Sequence, residues 1–283
     1  MPGSRVLWLG CGSLGVTTAP LLQAQGLSVT GVRRDASRLP NDVAGISADV
    51  LDIAALRQLA SEEWAAIIVT LTAGGYSEAE YQRTYVEGAR SIARAFSREP
   101  LLLFASSTSV YENANGDRVD EDTVLNPVGF SGRAMLEAEQ ILAEGRPNSC
   151  AVRFAGIYGR AEPRMLQQLR NGTICPSEPA QYTNRIHYLD AGRALVHLLR
   201  HWQRGADLAP CYIAADSYPA TKREVTEWLA RGLALDIQTL KEAPDSGRGY
   251  NKRCSNARLL ATHFRLEYPD FRSGMATWLG QDT

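Results

Sequence analysis

Arg5-Val-Leu-Trp-Leu-Gly10-Cys-Gly12-Ser-Leu-Gly15 is the stretch on which the reading of this chain turns. Apart from Arg5, the residues before Gly10 are apolar, as in a strand buried on both faces. The residues after Gly12 read as a helix running to Gln25. Strand, glycine turn and helix together present unpaired amides and the positive end of a helix dipole, which suits a phosphate group. In that reading Gly10 makes the tight turn and Gly12 lets the backbone approach a pyrophosphate. Gly15 lets helix and strand pack closely, and Ser13 and Leu14 lie at the contact. A bare G-x-G-x-x-G is weak, but here strand and helix flank it as a dinucleotide turn requires. The alternative is a glycine-rich turn that binds nothing.

The next strand, Leu27 to Arg34, carries the second clue. NAD-preferring sites place an acidic residue at its end, about 20 residues on, to hold the ribose 2′-hydroxyl. Here that place holds Arg33 followed by Arg34. Two guanidinium groups suit a 2′-phosphate, since each offers forked, charge-assisted hydrogen bonds. NADP(H) is therefore the expected cofactor, with NAD(H) the less favoured one. The competing reading is a pair of solvated arginines partly neutralised by Asp35.

Composition narrows the partners. The chain has 283 residues and a formal net charge of −1, so it offers no electrostatic case for nucleic acid or a membrane surface. Five cysteines, at 11, 150, 175, 211 and 254, show no C-x-x-C spacing and read as free thiols in a reducing compartment. No apolar run reaches spanning length, and Met-Pro-Gly-Ser-Arg leads straight into the first strand. A cytoplasmic location is the expectation. His197 and His201 stand four apart on a helix-like stretch, but no third ligand accompanies them, so no metal site is expected.

Further strands follow at Gly45–Val50, with Asp49 and Val50 at an adenine-side edge, at Ala65–Thr72 running into Ala73, at Leu101–Ala105, at Cys150–Phe154 and at Cys211–Ala214. Helix-like stretches separate them. Ser77 to Glu80 has the form of a capping box, and Tyr81, Tyr85, Val86, Ala89, Ile92, Ala93 and Phe96 then recur at helical spacing. Thr221 to Glu224 repeats the cap before another amphipathic helix. Strands alternating with helices predict an α/β fold, a doubly wound parallel sheet (Rossmann) with a smaller C-terminal α+β substrate lobe. The expected domains are 1–160, completed by 186–216, and a lobe of 161–185 and 217–283. Pro244 to Lys252 reads as a flexible loop and candidate gate.

Phe104-Ala-Ser106-Ser107-Thr-Ser-Val-Tyr111, Asp120-Glu-Asp-Thr123, Ala138-Glu139, Arg153-Phe-Ala-Gly-Ile-Tyr158-Gly159, Asn184-Arg-Ile-His187 with Asp190, and Ser255-Asn-Ala-Arg-Leu259 with Tyr268-Pro269 occur in this order. The chain thereby resembles the extended short-chain dehydrogenases/reductases, the NAD(P)-dependent epimerase/dehydratase family, over nearly its whole length. The resemblance implies an oxidoreductase or isomerase acting on a small molecule, commonly a nucleotide sugar. It implies cofactor contacts at Thr72, Ala73, Phe154 and Tyr158 beside those already named, and substrate contacts at Thr108, Arg185 and His187. It also implies a homodimer through the helices after Tyr85 and at Ser131.

The departures are specific. The family's tyrosine and lysine stand four apart on one helix face, where the ammonium lowers the phenol's pKa. Counting back from Glu139 puts Met135 at the lysine and Ser131 at the tyrosine. Arg133, two residues along the helix from Ser131, faces elsewhere. The candidate catalytic residues are Ser107, which matches the family's hydroxyl donor, Ser131, and Tyr85, whose phenol stands where relatives carry an asparagine. Two functions stay open: an NADP(H)-dependent oxidoreductase/epimerase with an atypical site, or a catalytically inactive NADP(H)-binding sensor or scaffold.

Overall fold

The computed structural model describes residues 4–111, 115–161, 164–243 and 251–280. Its strands are β1 (Arg5–Leu9), β2 (Ser28–Arg33), β3 (Ala44–Ser47), β4 (Ala66–Val69), β5 (Leu101–Ser107), β6 (Arg118–Val119), β7 (Ser149–Phe154), β8 (Gly156–Tyr158), β9 (Thr173–Ile174), β10 (Tyr182–Thr183), β11 (Arg185–His187), β12 (Cys211–Ala214), β13 (Ala220–Thr221), β14 (Lys241–Glu242) and β15 (Arg253–Cys254). The α-helices are α1 (Ser13–Gln23), α2 (Ile53–Ala60), α3 (Glu78–Tyr81), α4 (Gly88–Ala95), α5 (Phe130–Ala143), α6 (Arg164–Arg170), α7 (Tyr188–Gln203), α8 (Lys222–Gly232), α9 (Ala257–Ala261) and α10 (Phe271–Met275).

Seven strands form one sheet in the order β12-β7-β5-β4-β1-β2-β3, the doubly wound arrangement expected from the alternation of strands and helices. Val6, Leu7, Trp8 and Leu9 of β1 are fully buried, which is why the first strand is almost uninterruptedly apolar. β3, at the edge, is exposed along all four residues. The chain winds from β1 outward to β2 and β3, then restarts at β4 on the other side. This reversal leaves a crevice beyond the carboxyl ends of β1 and β4, the place where such sheets take their ligands.

The crevice is stitched by polar groups. The Trp8 indole N–H donates to Thr70 Oγ1 at 2.7 Å, and the Thr70 hydroxyl donates to the Gly10 carbonyl at 2.9 Å. Gly10 and Cys11 both donate their amides to the Val32 carbonyl at 2.9 Å, which fixes the glycine turn against β2.

The amphipathic stretch after Ser77 differs from the uniform helix its spacing predicts. A six-residue π-helical turn, Gln82–Glu87, separates α3 from α4. Val86, Ala89, Ile92 and Phe96 of the expected face are buried, but Tyr81, Tyr85 and Phe130 pack ring on ring at 5.1 and 5.4 Å. α5 packs against the widened turn, and side-chain spacing alone does not report an i→i+5 backbone bond. The two capping boxes form only in half: Ser77 and Thr221 accept the amides of Glu80 and Glu224 at 3.3 and 3.0 Å. The carboxylate of Glu80 lies instead beside Gly74, and that of Glu224 binds Arg272 and Tyr218.

The chain divides into two compact units, 1–110 with 126–153 and 191–212, and 111–125 with 154–190 and 213–283. The second unit has its own core of Leu166, Leu169, Ile174, Ala220, Val225, Leu229, Ala230, Phe271 and Met275. Short pairings β10·β13, β11·β8, β14·β9 and β15·β6 frame it. Fully buried Asp190 accepts the amides of Glu267 and Tyr268 at 3.0 and 2.8 Å. Asp190→Ala strips both amides of a charged acceptor and is expected to cost about 2–3 kcal/mol in urea denaturation; a loss below about 1 kcal/mol would show the anchor to be dispensable.

Residues 244–250 of the expected gate lie outside the described residues. Its last residue is anchored: Lys252 is 3% exposed and donates to the Tyr111 carbonyl at 3.2 Å. The carbonyl supplies the partner that a buried ammonium needs. All five cysteines are free, Cys175 half-buried and the other four buried. Among the described residues no helix is long and apolar enough to cross a membrane, and no group of three or more His, Cys, Asp or Glu gathers into a metal-binding set.

Candidate dinucleotide cleft and active site

A cleft of about 350 Å³ lies in the first unit, at the carboxyl ends of β1, β2 and β4. Gly10, Gly12, Arg33, Arg34, Asp49, Val50 and Thr72, all expected from the sequence, line it. Gly10 has φ +79°, and a Cβ there would stand 2.8 Å from the Thr70 carbonyl. A Cβ on Gly15 would meet Cys11 Sγ at 2.6 Å and Trp8 Nε1 at 2.9 Å. A Cβ on Gly12 meets nothing nearer than the Gly10 carbonyl at 3.8 Å. The first and third glycines are thus required by protein packing, whereas the space over Gly12 is open to a ligand. Gly12 also caps α1 without any side-chain bond to the helix amides, so Ser13, Leu14 and Gly15 open a helix whose N-terminus carries the positive end of the dipole that suits an anion.

The guanidinium groups of Arg33 and Arg34 make no hydrogen bond or salt bridge among the described residues. Asp35, the residue that would neutralise them, accepts from the Ser37 hydroxyl at 2.6 Å and pairs with Arg38 at 3.2 Å. The Ser37 hydroxyl bond foremost, then the Ser37 amide and the charges of Arg38 and Arg33, hold its carboxyl below the usual range. Two arginines at the mouth of an anion-ready turn fit a phosphorylated dinucleotide. Arg38, Glu80, Arg83 and Thr84 also line the cleft and escaped the sequence reading. Arg38, five residues beyond Arg33, was the one with a signal. Ala73 is half-buried beside the lining residues Thr72 and Gly74.

Around the end of β5 the first unit gathers the candidate catalytic groups. Ser107 Oγ accepts from the Ser109 amide at 3.1 Å, which leaves its proton to donate, and Thr108 opens the short 3-10 turn that follows. α5 packs against this turn and against the π-helical segment. A Cβ on Gly132 would collide with the Ser109 carbonyl, so that glycine sets the close approach. Ser131 and Met135 stand one turn apart on α5, with Ser131 half-buried and Met135 buried. Arg133 is engaged at the helix start, with the Val128 carbonyl and with Glu78 at 3.0 Å. Tyr85 makes a hydrogen bond with the Ala73 backbone; burial, then neighbouring Tyr81, pushes its phenol above the usual range, and the Ala73 bond partly offsets them.

The remaining predicted residues belong to the second unit and do not line the cleft. Phe154 ends β7 and is buried. The ring of Tyr158 lies 5.4 Å from His187 and 6.2 Å from Trp278, and its hydroxyl abuts Gly274. Burial, then Asp216, raises its pKa. His187 is 5% exposed, lies 3.8 Å from the Tyr268 ring, and is driven toward the neutral form by burial. Arg185 is 6% exposed, bonds Thr183 Oγ1 and lies over the Phe271 ring at 5.5 Å. Burial pushes the neighbouring Asp216 carboxyl up to about 7, against the pull of Arg185.

Comparison with known proteins agrees with this architecture. The model of the RmlD substrate binding domain family matches residues 4–180. The chain is 29% identical to the protein YeeZ of Escherichia coli K12, over 94% of this chain and 97% of that one. A protein of Methylobacillus flagellatus described as an NAD-dependent epimerase/dehydratase is 34% identical, with a TM-score of 0.80 and 98% of each chain covered. The human epimerase family protein SDR39U1, solved with NADPH, shares the fold at a TM-score of 0.78 and 19% identity, over 98% of this chain and 99% of that one. A family match over more than half the chain and a 34% identical relative along nearly all of it establish that the chain belongs to the extended short-chain dehydrogenase/reductase family of NAD(P)-dependent epimerases and dehydratases.

Proposed function

We propose that this chain is an NADP(H)-dependent oxidoreductase or epimerase acting on a nucleotide-sugar-like small molecule. The observation that carries the reading is the cleft itself: open space over Gly12, an α1 N-terminus with no side-chain cap from Gly12, and two arginines at the end of β2 whose guanidinium groups make no hydrogen bond or salt bridge among the described residues. Solved structures of the same fold hold NADPH in one case and NAD in another, so the choice of NADP(H) rests on the two arginines. Gly10, Gly12 and the first α1 amides would hold the pyrophosphate, Arg33 and Arg34 the 2′-phosphate, and Asp49 and Val50 the adenine edge. Bound nicotinamide supplies or accepts a hydride.

The chain's own residues must manage the proton. Ser107 holds a donor proton for the substrate oxygen, and Ser131 offers a second hydroxyl from α5. Tyr85 stays protonated at neutral pH, so its phenol suits donation to a nascent alkoxide better than abstraction from an alcohol. The test is hydride transfer from NADPH across a panel of nucleotide sugars and their keto derivatives. Tyr85→Phe is expected to lower kcat by about 10²–10⁴-fold with NADPH affinity retained, and Ser107→Ala should also slow turnover. Unchanged rates in both variants would remove these residues from the chemistry.

A second reading is favoured by Met135, which is 4% exposed where the family's lysine would stand. A buried thioether gives no charge to activate a proton donor. A sensor or scaffold of this kind would bind NADPH tightly and turn over no member of the panel.

A further inference from the structure

A second cavity, of about 390 Å³, opens in the second unit and is lined among others by Arg118, Arg253, Tyr182, Ser217, Ser255 and Glu224. Its two arginines stand directly opposite each other, because β15 runs parallel to β6 with Arg253 in register with Arg118. Residues opposed in this way put their side chains on one face, and both of these reach the cavity. Like charges so placed repel.

No carboxylate among the described residues answers them. Arg253 donates through Nε to the Gly116 carbonyl at 2.6 Å and lies over the Tyr182 ring at 5.0 Å, so its terminal nitrogens keep their donors. Arg118 makes no hydrogen bond or ion pair among the described residues. Glu224, the acid in the wall, is already held by Arg272 at 2.8 Å and by the Tyr218 hydroxyl at 2.9 Å. Ser217 accepts from Asn256 Nδ2 at 3.1 Å, which leaves its hydroxyl proton to donate. Two cations side by side without an ion pair, Arg118 exposed and Arg253 half-buried, are open to an anion from outside.

We propose that this cavity binds the phosphoryl group of a phosphorylated small molecule, clamped between the Arg118 and Arg253 guanidinium groups. Two forked cations match a phosphate dianion in charge and in the number of oxygens available. The volume admits a phosphate with a modest organic part. The site shares no residue with the dinucleotide cleft and does not depend on the function proposed above.

The test is titration calorimetry of the full chain with inorganic phosphate and, separately, with UDP. An Arg33→Ala/Arg34→Ala background keeps the dinucleotide cleft from contributing. Arg118→Ala is expected to weaken binding of the better probe at least about tenfold, and Arg118→Ala/Arg253→Ala to abolish it. Rising salt should weaken the parent's binding. Because Arg118 bonds nothing in the protein, Arg118→Ala should melt no lower than the parent in the absence of anion. Stronger binding of UDP than of phosphate assigns the site to a nucleotide, and phosphate binding alone assigns it to the free ion. A parent that binds neither probe, or an Arg118→Ala protein that binds both as the parent does, overturns the proposal.

Discussion

Glu139→Gln is expected to lower stability by about 3–5 kcal/mol, the cost of leaving a buried charge without its partner. The side chains of Glu139 and Arg153 are 8% and 6% exposed. Arg153 donates through Nε to both carboxylate oxygens, at 3.1 and 3.3 Å, and through Nη2 to Oε2 at 2.8 Å. The Ser106 hydroxyl donates to the same carboxylate. One acid on α5 therefore fastens the helix to β5 and β7 at once. Glutamine keeps the volume and one acceptor but removes the charge, so the buried Arg153 guanidinium loses the carboxylate that faces it. Replacing both partners with apolar residues of similar size should cost far less than the sum of the single losses. Urea denaturation of Glu139→Gln, Arg153→Met and a Glu139→Leu/Arg153→Met double variant checks this. A single-variant loss below about 1 kcal/mol would show the pair to be idle. The pair also has a functional side, since Ser106 precedes Ser107 and α5 carries Ser131. Loosening it disturbs the relation between the two hydroxyls.

How much of this was legible beforehand depends on the range over which each feature is set. Gly10, Gly12 and Gly15 could be read individually because each answers to backbone geometry within one turn, and the structure gives each a separate physical reason. Arg33 and Arg34 were legible because a strand end is a local feature. Glu80, Arg83 and Thr84 reach the cleft from the segment after β4, and no spacing in the chain shows that convergence. The π-helical turn was invisible for a related reason: the tyrosines recur at helical spacing whether or not the backbone widens, and the packing of α5 and Phe130 against them accompanies the widening. The two-residue pairings of the second unit, including the one that aligns Arg118 with Arg253, are too short to carry any periodicity.

Arg33→Ala/Arg34→Ala is expected to weaken NADPH binding by about 10²-fold or more while leaving NADH binding within about threefold. Each guanidinium that meets a 2′-phosphate contributes about 1.5–3 kcal/mol through charge-assisted hydrogen bonds, and each 1.4 kcal/mol is about a tenfold change in affinity. NADH has no 2′-phosphate, so the same groups have nothing specific to grip there. The substitution should leave the fold intact, within about 0.5 kcal/mol, because neither guanidinium group makes a hydrogen bond or salt bridge among the described residues. Arg38 provides an internal comparison. It lines the same cleft, but its guanidinium is held by Asp35 at 3.2 Å, so Arg38→Ala should cost less than Arg33→Ala, and Asp35→Ala should tighten NADPH binding by releasing Arg38 toward the phosphate. Raising ionic strength should weaken NADPH more than NADH, since only the former carries the extra charge. Fluorescence or calorimetric titration of both nucleotides against the parent and these variants gives the answer. Equal losses for the two nucleotides would defeat the 2′-phosphate assignment, and a parent with no affinity for either would defeat the reading of the cleft as a dinucleotide site.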